Sequence, residues 1–571
     1  MEQPSGFKSK KDIRIYQARH VLNWPAGSGL LAGRPQSSPQ AMATARAAAA
    51  LLLQRGTTAS RPGYDRRWAV TAAGAAAGVV GGAAAAAQAQ QADPQCGARL
   101  TAWLTARGAT LGSIRFAPTR AVASADVRAG NTLLTLPAHT VLSAASACAS
   151  DDLGEALSSL RSRLASGADN MATLDALLLS AMLIELRCTS SNSPQPAGAW
   201  REWVATLPGP EAIDTPPCWS DAQLTALQGT PVYGVAAARR AWLDSLSRDL
   251  PPVMDQAGLT AAAAAMRSDL KWLRWADALV WSRAVCMPAH EEGEQEEELA
   301  MLPGVDMCNH TVDASKVTAR WVYTMRYDGG GVSLVAAAGG RGESALSQDL
   351  SAGDELLLSY GPRLAEELLH VYGFFPEGAA VGGEGGVAEA GAVGLLSKAA
   401  EGDTWDAAVL LVPVGGSDDE EVEVELLSKE MLGSTRFPYD KGWVLIQTAL
   451  ALCSPPPGTG VPVTSPRDAD DSGWDVVMLR EKVGVSVSEA QLSAALRGFV
   501  RVLDAELKVM PHGPIPSDGR AVEARRAVLA GRYISWRRAR LLEVRQWCDG
   551  MRKGIDAEGP TWWSDSTVTK L

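Results

Sequence analysis

The sequence predicts an α+β protein in which a helical block separates two β-rich parts and a mostly helical part follows. Short apolar runs between turn residues, such as Ile114 to Ala117 and Thr132 to Leu136, indicate strands in the first part. Residues 171–187 and 235–285 carry apolar side chains over helical lengths, which indicates the helical block. Strand patterns return further along the chain, at residues 317–325, 332–336 and 355–360.

The chain after the second β-rich part is predicted to be mostly helical. Residues 364–372 have a helical pattern, whereas residues 377–403 are rich in Gly, Ala and Glu and are predicted to be a linker. Residues 404–571 are expected to form a helical C-terminal domain. Within it, Ser488 and Gln491 have the spacing of a helix N-terminal capping box. The apolar stripe behind this box consists of Leu492, Leu496, Phe499, Leu503 and Leu507.

The charge of the chain is unevenly distributed. The 571 residues carry a net charge of −11, but residues 1–92 hold 11 basic and 3 acidic residues, so the remainder has a net charge of −19. Such an acidic body argues against a nucleic-acid partner. Arginines between positions 525 and 545 are expected on a solvated or protein-docking face of an amphipathic helix.

The cysteines indicate neither a disulfide scaffold nor a metal site. Eight cysteines without short regular spacing are few for a chain of this length, which favours a reducing compartment. The nearest cysteine and histidine cluster lacks the usual zinc-ligand spacing, so we expect no metal; its members are Cys286, His290, Cys308 and His310.

The first 92 residues are predicted to be a targeting region. From Met42 to Tyr64 the chain is rich in Ala, Arg, Ser and Thr and has no acidic residue, which is typical of an organelle transit peptide. Arg66 and Arg67 precede a mildly apolar stretch and resemble a twin-arginine export signal, with an alanine-rich linker as the alternative. We therefore expect a chloroplast protein of the stroma or thylakoid lumen, without a membrane span in the mature chain.

Two polar segments about fifty residues apart carry the predicted chemistry. Residues 306–310 (DMCNH) place adjacent polar side chains after an apolar run that ends at Val305. Residues 358–361 (LSYG), followed by 367–374 (ELLHVYGF), place Tyr360 at the end of a predicted strand. Polar groups are costly to bury unless they are hydrogen-bonded, so the first segment indicates a ligand pocket or a polar turn.

Together and in this order, the two segments resemble the SET-domain methyltransferases, specifically the group of Rubisco large-subunit lysine methyltransferase and the actin-histidine methyltransferase. Further segments resemble the same family in the same order, namely residues 100–109, 123–137, 200–208, 218–230 and 273–283. The resemblance therefore covers the chain from about residue 96 to residue 376.

The resemblance implies a β-rich SET domain over residues 93–376, with a helical insert at about 146–285 and the two polar segments meeting through a pseudoknot. It implies that residues 404–571 are a mostly α-helical substrate-binding domain. It also implies S-adenosylmethionine as the cofactor and a protein as the substrate, because the family transfers the cofactor's methyl group to a protein side chain.

The resemblance also implies roles for individual residues. Tyr360 would be catalytic, orienting the target amine. The cofactor would be held by Asn309, His310, Arg283 and Tyr360. The substrate would be contacted by Asp306, Arg283 and Tyr372.

These inferences lead to an expected function with two alternatives. We expect an S-adenosylmethionine-dependent protein-lysine N-methyltransferase that acts on a chloroplast protein such as Rubisco large subunit. Histidine methylation is one alternative, since residues 306–311 (DMCNHT) resemble the actin-directed enzyme as well. A non-catalytic SET scaffold that binds a protein partner is the other. It is motivated by residues 118–120 (PTR), where the family has a Gly-x-Gly turn, and by residues 364–365 (LA), where it has Ser-Asn.

Overall fold

The computed structural model describes most of the chain between residues 95 and 558. The described residues are 95–165, 171–189, 200–288, 297–313, 316–324, 330–337, 349–361, 363–376, 408–413, 421–426, 489–511 and 521–558, with Leu445 and Ala449. The predicted targeting region (1–92) and linker (377–403) lie outside these residues. Among the helices that are described, none has both the length and the apolar character needed to cross a membrane.

The first β-rich part consists of one helix and five short strands. The helix buries Trp103 and Leu104 against the core. The elements are α1 (Cys96–Ala106), β1 (Thr110–Leu111), β2 (Ile114–Ala117), β3 (Arg120–Ala123), β4 (Thr132–Pro137) and β5 (Leu142–Ser143). The strands predicted at 114–117 and 132–136 are thus confirmed, the second extending to Pro137.

The helical block follows and contributes much of the core. Its elements are α2 (Ala144–Cys148), α3 (Gly154–Ala165), α4 (Met171–Cys188), α5 (Arg201–Val204), α6 (Asp221–Thr225), α7 (Pro231–Ala257), α8 (Thr260–Ser268) and α9 (Lys271–Arg283). Helix α4 is apolar on several faces because α3, α8 and α9 pack around it, and Leu179, Leu183 and Ile184 are fully buried. The predicted helical stretch 235–285 is divided by Gly258, which ends α7 in a left-handed conformation with φ of 95°.

The second β-rich part completes two sheets begun by the first. Its elements are β6 (Ala284–Pro288), β7 (Glu297–Met301), β8 (Asn309–His310), β9 (Ala319–Thr324), β10 (Gly331–Ala336), β11 (Leu357–Leu358) and α10 (Ala365–Tyr372). An antiparallel four-stranded sheet has the order β1-β4-β10-β9, and a three-stranded sheet has the order β5-β7-β6. Strands that precede the helical block in the chain therefore share sheets with strands that follow it.

The two polar segments meet, as the resemblance implied. Strands β8 and β11 pair in parallel, with Asn309 opposite Leu357 and His310 opposite Leu358. The residues just before β11 also bond to β3, since the Ala121 carbonyl accepts from the Leu356 N–H at 2.9 Å. Parallel neighbours require a long connection, which here is the chain from residue 311 to residue 356.

The C-terminal part contains a strand pair as well as the predicted helices. Its described elements are β12 (Ala408–Pro413), β13 (Glu421–Leu426), α11 (Glu489–Val509) and α12 (Ala521–Glu558). Strands β12 and β13 pair antiparallel, and the alternation of Glu and Val in β13 is the period-two pattern that signals a strand. The predicted stripe of α11 is buried at Leu496, Phe499 and Leu503. The fold class is thus α+β with a helical C-terminal region.

One expectation for α12 is wrong. Four of its arginines are buried rather than solvated, namely Arg525, Arg526, Arg537 and Arg540. The guanidinium groups reach buried acceptors: Arg525 pairs with Asp214, and Arg537 with Glu366 at 2.8 Å. A buried cation is tolerated when a carboxylate compensates its desolvation, which explains the difference.

Candidate active site

Arg283 and the buried carboxylate of Asp306 form an ion pair in the site. Arg283 is the last residue of α9, and its Nη1 lies 3.1 Å from Asp306 Oδ2 and 3.0 Å from the Asp306 carbonyl. The Asp306 side chain is only 2% exposed. Burial raises the pKa of Asp306, while Arg283 and the Gly304 N–H act in the opposite direction. The pair thus fixes the first polar segment against the end of α9.

Gly304 makes the turn before Asp306 possible. Its φ is 89°, and a Cβ at this position would lie 3.0 to 3.2 Å from Phe116, Leu134 and Leu104. Its N–H donates to Asp306 Oδ1 at 2.9 Å. A side chain at residue 304 would therefore disturb both the backbone conformation and the packing beneath the carboxylate.

Tyr360 is held by hydrogen bonds at both ends. Its hydroxyl donates to the Cys308 carbonyl at 2.8 Å, and its backbone N–H donates to His310 Nδ1 at 3.1 Å. The rings of Tyr360 and His310 stack with centroids 4.8 Å apart. Burial raises the pKa of the Tyr360 phenol well above its ordinary value, so the phenol is neutral at physiological pH.

His310 is neutral as well. Burial lowers the pKa of His310 to about 4. A backbone contact with Leu358 acts to raise this pKa, whereas the Arg363 cation lowers it further. Its Nδ1 accepts from the Tyr360 N–H, so in the neutral ring Nε2 carries the hydrogen. The ring therefore serves as a rigid neighbour of Tyr360 rather than as a proton carrier near pH 7.

A cavity of about 60 Å³ brings four of the predicted site residues together. The four are Arg283, Asp306, Tyr360 and Tyr372. Three lining residues that the sequence did not single out are Trp281, Trp321 and Arg363. Asn309 and His310 do not line the cavity. Four aromatic side chains and one ion pair thus lie in the wall of the cavity.

Helix α10 and the residue Arg363 just before it contribute to the wall of the cavity. Tyr372 lies at its C-terminus, with its ring centroid 5.0 Å from that of Tyr360. Arg363, which precedes the helix, donates from Nε to the Tyr360 carbonyl at 3.3 Å and pairs with Glu367 at 3.4 Å. Burial lowers the pKa of Arg363, but the neighbouring Tyr372 and Glu367 raise it by more, so the guanidinium stays charged.

Residues 118–120, where the resemblance led us to expect a glycine turn, do not line the cavity. Pro118 and Thr119 connect β2 to β3, and no residue of this turn lines the cavity. The Arg120 side chain is 49% exposed, and its Nη1 lies 3.5 Å from Glu355 Oε2. Glu355 Oε1 in turn accepts from Asn309 Nδ2 at 2.7 Å. The turn therefore connects to the first polar segment through Glu355.

The residues that the sequence analysis missed had weak or no local signals. Trp281 lies in the same helical turn as Arg283, and Trp321 belongs to a predicted strand, so both patterns indicated core positions. Glu355 and Arg363 flank the Tyr360 segment, and this proximity was the only signal available. One partner of Glu355 is distant along the chain, since Arg120 lies 235 positions away.

Comparisons with known proteins give one related sequence and several related structures. The sequence matches no protein-family model. It is 26% identical over 184 residues to SET domain-containing protein 8 of Schizosaccharomyces pombe, and this match covers 31% of the chain and 34% of the relative. The match thus spans about a third of that relative's length.

Solved structures that resemble the chain include those of LSMT. The SET domain of LSMT bound to lysine and AdoHcy has a TM-score of 0.52 at 15% identity, covering 82% of this chain and 92% of that one. Rubisco LSMT bound to AdoMet has a TM-score of 0.51 at 15% identity, covering 82% and 93%. These matches show that the chain has the SET-domain fold, which confirms the resemblance to the SET-domain methyltransferases at the level of the fold.

Proposed function

We propose that this chain, which has the SET-domain fold, is an S-adenosylmethionine-dependent protein-lysine N-methyltransferase. The observation that carries the proposal is the Tyr360 hydroxyl, held by the Cys308 carbonyl in the wall of a cavity of about 60 Å³ that also contains Trp281, Trp321 and Tyr372. The similarity to Rubisco LSMT bound to AdoMet, and to its SET domain bound to lysine, supports the same pairing of cofactor and substrate here.

The residues around Asn309 fit the proposed cofactor. Asn309 is exposed, and its amide oxygen accepts no hydrogen bond from any described residue, so it is available to a ligand's ammonium group. His310 and Phe374 add aromatic rings beside it, with centroids 6.1 Å apart. When bound, S-adenosylmethionine would supply an electrophilic methyl group on a cationic sulfur for attack by the target nitrogen.

Tyr360 is suited to orient the target amine rather than to deprotonate it. Its hydroxyl hydrogen is used by the Cys308 carbonyl, so its oxygen is free to accept a hydrogen bond from the amine N–H. Because the pKa of this phenol is raised, it is not ionised near pH 7 and is not a general base. Catalysis would then depend on holding the amine in line with the methyl group.

The charges of the cavity wall favour the neutral form of the amine. Arg283 and Arg363 both line the cavity, and the single carboxylate in the wall, Asp306, is already paired with Arg283. A poorly hydrated site that offers no unpaired carboxylate disfavours an ammonium ion, so the amine would lose its proton to solvent on entry. The aromatic rings would contact the apolar arm of a lysine side chain.

One observation favours histidine as an alternative target. The indole N–H of Trp281, a residue of the cavity wall, has no hydrogen-bond partner among the described residues. A neutral imidazole offers an acceptor nitrogen and a flat ring, both of which suit an aromatic wall with an unpaired donor. A lysine side chain has no ring.

The organelle and substrate are proposed from the N-terminal sequence. The composition of residues 42–64 supports import into the chloroplast, in the stroma or the thylakoid lumen. We propose an abundant chloroplast protein such as Rubisco large subunit as the substrate. The acidic body of the chain supports a protein partner rather than a nucleic acid.

A methylation experiment on a chloroplast extract tests the proposal. The wild type, Tyr360→Phe and the control Tyr323→Phe are incubated with extract and labelled S-adenosylmethionine, and the modified residue is identified by mass spectrometry. Tyr323 is a half-buried tyrosine of β9 outside the cavity wall, which makes it a matched control. We expect the wild type and Tyr323→Phe to label one site and Tyr360→Phe to lose most of this label.

Three results would contradict parts of the proposal. Equal labelling by all three proteins would remove the catalytic role of Tyr360. Labelling of histidine would replace lysine as the target. A wild type that binds no S-adenosylmethionine in calorimetry would favour the non-catalytic scaffold.

A further inference from the structure

The backbone of Glu355 is held by contacts with β3 and with Thr318. It forms a β-bridge with Val122 of β3, and its carbonyl accepts from Thr318 Oγ1 at 2.9 Å. Its neighbours are anchored as well, since the Ala123 N–H donates to the Asp354 carbonyl at 2.8 Å. The backbone from which this side chain extends is therefore anchored on β3 and Thr318.

The Glu355 carboxylate fixes the orientation of the Asn309 amide. A carboxylate only accepts hydrogen bonds, so the amide nitrogen of Asn309 must face it, at 2.7 Å. The amide oxygen then faces away from Glu355 and is left as an acceptor. This orientation suits a ligand that presents N–H groups or a positive charge.

Glu355 also compensates the charge of Arg120. The Arg120 guanidinium lies 3.5 Å from Glu355 Oε2, on the opposite side of the carboxylate from Asn309. Without Glu355, Arg120 would be an unpaired cation close to the Asn309 amide. Such a cation would repel a cationic ligand more than an otherwise identical ligand that lacks the charge.

We propose that Glu355 is a positioning residue of the methyl-donor site, which orients Asn309 and neutralises Arg120 so that the site prefers the cationic donor over its demethylated product. This inference rests on the proposed function. S-adenosylmethionine carries a methyl group and a positive charge on sulfur that S-adenosylhomocysteine lacks, while the rest of the two molecules is the same. The ratio of the two affinities therefore reports the local charge, whereas a general loss of structure would lower both affinities together.

Calorimetry with both ligands at low salt tests the inference on the full chain. Glu355→Gln keeps an acceptor for Asn309 but removes the charge, so we expect the preference for donor over product to fall about three- to tenfold. Arg120→Ala removes the cation instead and should raise this preference about threefold. The double variant should return the ratio to within about twofold of the wild type.

Asp349→Asn serves as the matched control. Asp349 is an exposed carboxylate of the same chain segment, and its Oδ1 accepts from the Ala129 N–H at 3.3 Å, a bond that an asparagine oxygen keeps. We expect its affinity ratio to equal that of the wild type.

The outcomes separate the inference from the proposed function. Binding of both ligands with an unchanged ratio in Glu355→Gln would overturn the inference alone. If that variant does not fold, as judged by thermal unfolding, Arg120→Ala decides, because an unchanged or lowered preference there contradicts the inference. A wild type that binds neither ligand would overturn the proposed function and the inference with it.

Discussion

Tyr360 shows how single contacts determine the chemistry available to a residue. The hydrogen bond from its hydroxyl to the Cys308 carbonyl leaves the phenol oxygen as an acceptor. Its ring lies between His310 and Tyr372, at centroid distances of 4.8 and 5.0 Å. Because burial raises its pKa, the phenol acts through hydrogen bonding and position, not through proton transfer.

Tyr360→Phe should separate catalysis from folding. We expect the methyl-transfer rate to fall about 100-fold, because the amine loses the group that orients it. The free energy of unfolding should fall by only about 1 to 2 kcal/mol, the cost of leaving the Cys308 carbonyl without its donor. Single-turnover kinetics and denaturant unfolding measure the two quantities, and a rate within twofold of the wild type would contradict the assignment.

His310 and His370 should make the protein sensitive to acid. Burial lowers the pKa of His310 to about 4 and that of His370 to about 3, from an ordinary value of 6.5. Between pH 6.5 and these values the unfolded chain binds protons that the folded chain does not. The free energy of unfolding therefore falls as the pH falls through this window.

A pH series on His370→Gln tests this sensitivity. Between pH 7 and pH 5 we expect the variant to lose about 1 to 2 kcal/mol less stability than the wild type. Asp175, whose pKa burial raises to about 6, acts in the opposite direction but is common to both proteins and cancels in the comparison. The exposed His139 provides the control His139→Gln, and equal pH dependence in all three proteins would show that His370 is not the cause.

Helix α10 links the site to the rest of the molecule at the scale of one element. Glu366 and Glu367 are adjacent, yet Glu366 bonds to α12 and Glu367 bonds to Arg363 in the cavity wall. The helix ends at Gly373, whose φ of 76° is left-handed and whose missing Cβ leaves space for the backbone at Asp214. A short helix thus has one contact with the cavity and another with the C-terminal helix.

Gly373→Ala should disturb this element strongly. The added Cβ would lie 2.8 Å from the Asp214 carbonyl carbon, so the helix end or the facing backbone must move. We expect a loss of about 2 to 4 kcal/mol in stability. Gly353→Ala is the matched control, since Gly353 has a φ of 98° but nothing within 4 Å of the added carbon. Its loss should be about 1 kcal/mol from backbone strain alone, and equal losses in both variants would exclude the steric explanation.

At the scale of the whole molecule, buried ion pairs fasten the C-terminal helix to the SET fold. Arg525 of α12 pairs with Asp214, whose side chain is 3% exposed. Arg537 is 1% exposed and pairs with Glu366 of α10, which also accepts from the Tyr533 hydroxyl at 2.9 Å. These two pairs connect α12 to Asp214 and to α10, the helix that carries Tyr372 of the cavity wall.

Arg537→Met should lower the free energy of unfolding far more than the loss of an exposed ion pair does. It leaves Glu366 buried without its cation, which costs about 3 to 5 kcal/mol. Arg545→Met is the control, because Arg545 is 33% exposed and pairs with Asp504 of α11, so its loss should cost at most about 1 kcal/mol. Adding Glu366→Gln to Arg537→Met should recover part of the stability. Denaturant unfolding measures all three, and similar losses for Arg537→Met and Arg545→Met would contradict the proposed role of burial.

The sequence by itself determined the local elements and the order of the motifs. Strands at 114–117 and 332–336, the helix at 171–187 and the two polar segments follow from side-chain periodicity and from residue order, which are properties of short stretches of chain. The resemblance carried by those motifs led to the SET fold and to the four predicted residues that line the cavity.

Only the tertiary structure decided which distant residues meet. The bond from Tyr360 to the Cys308 carbonyl spans 52 positions, and the pairing of Arg120 with Glu355 spans 235. The burial of the α12 arginines depends on Asp214 and Glu366, which lie in other parts of the chain. Periodicity specifies which face of an element is buried, but hydrophobic burial has no direction, so the partner of each polar group is fixed only when the packed elements bring particular donors and acceptors together.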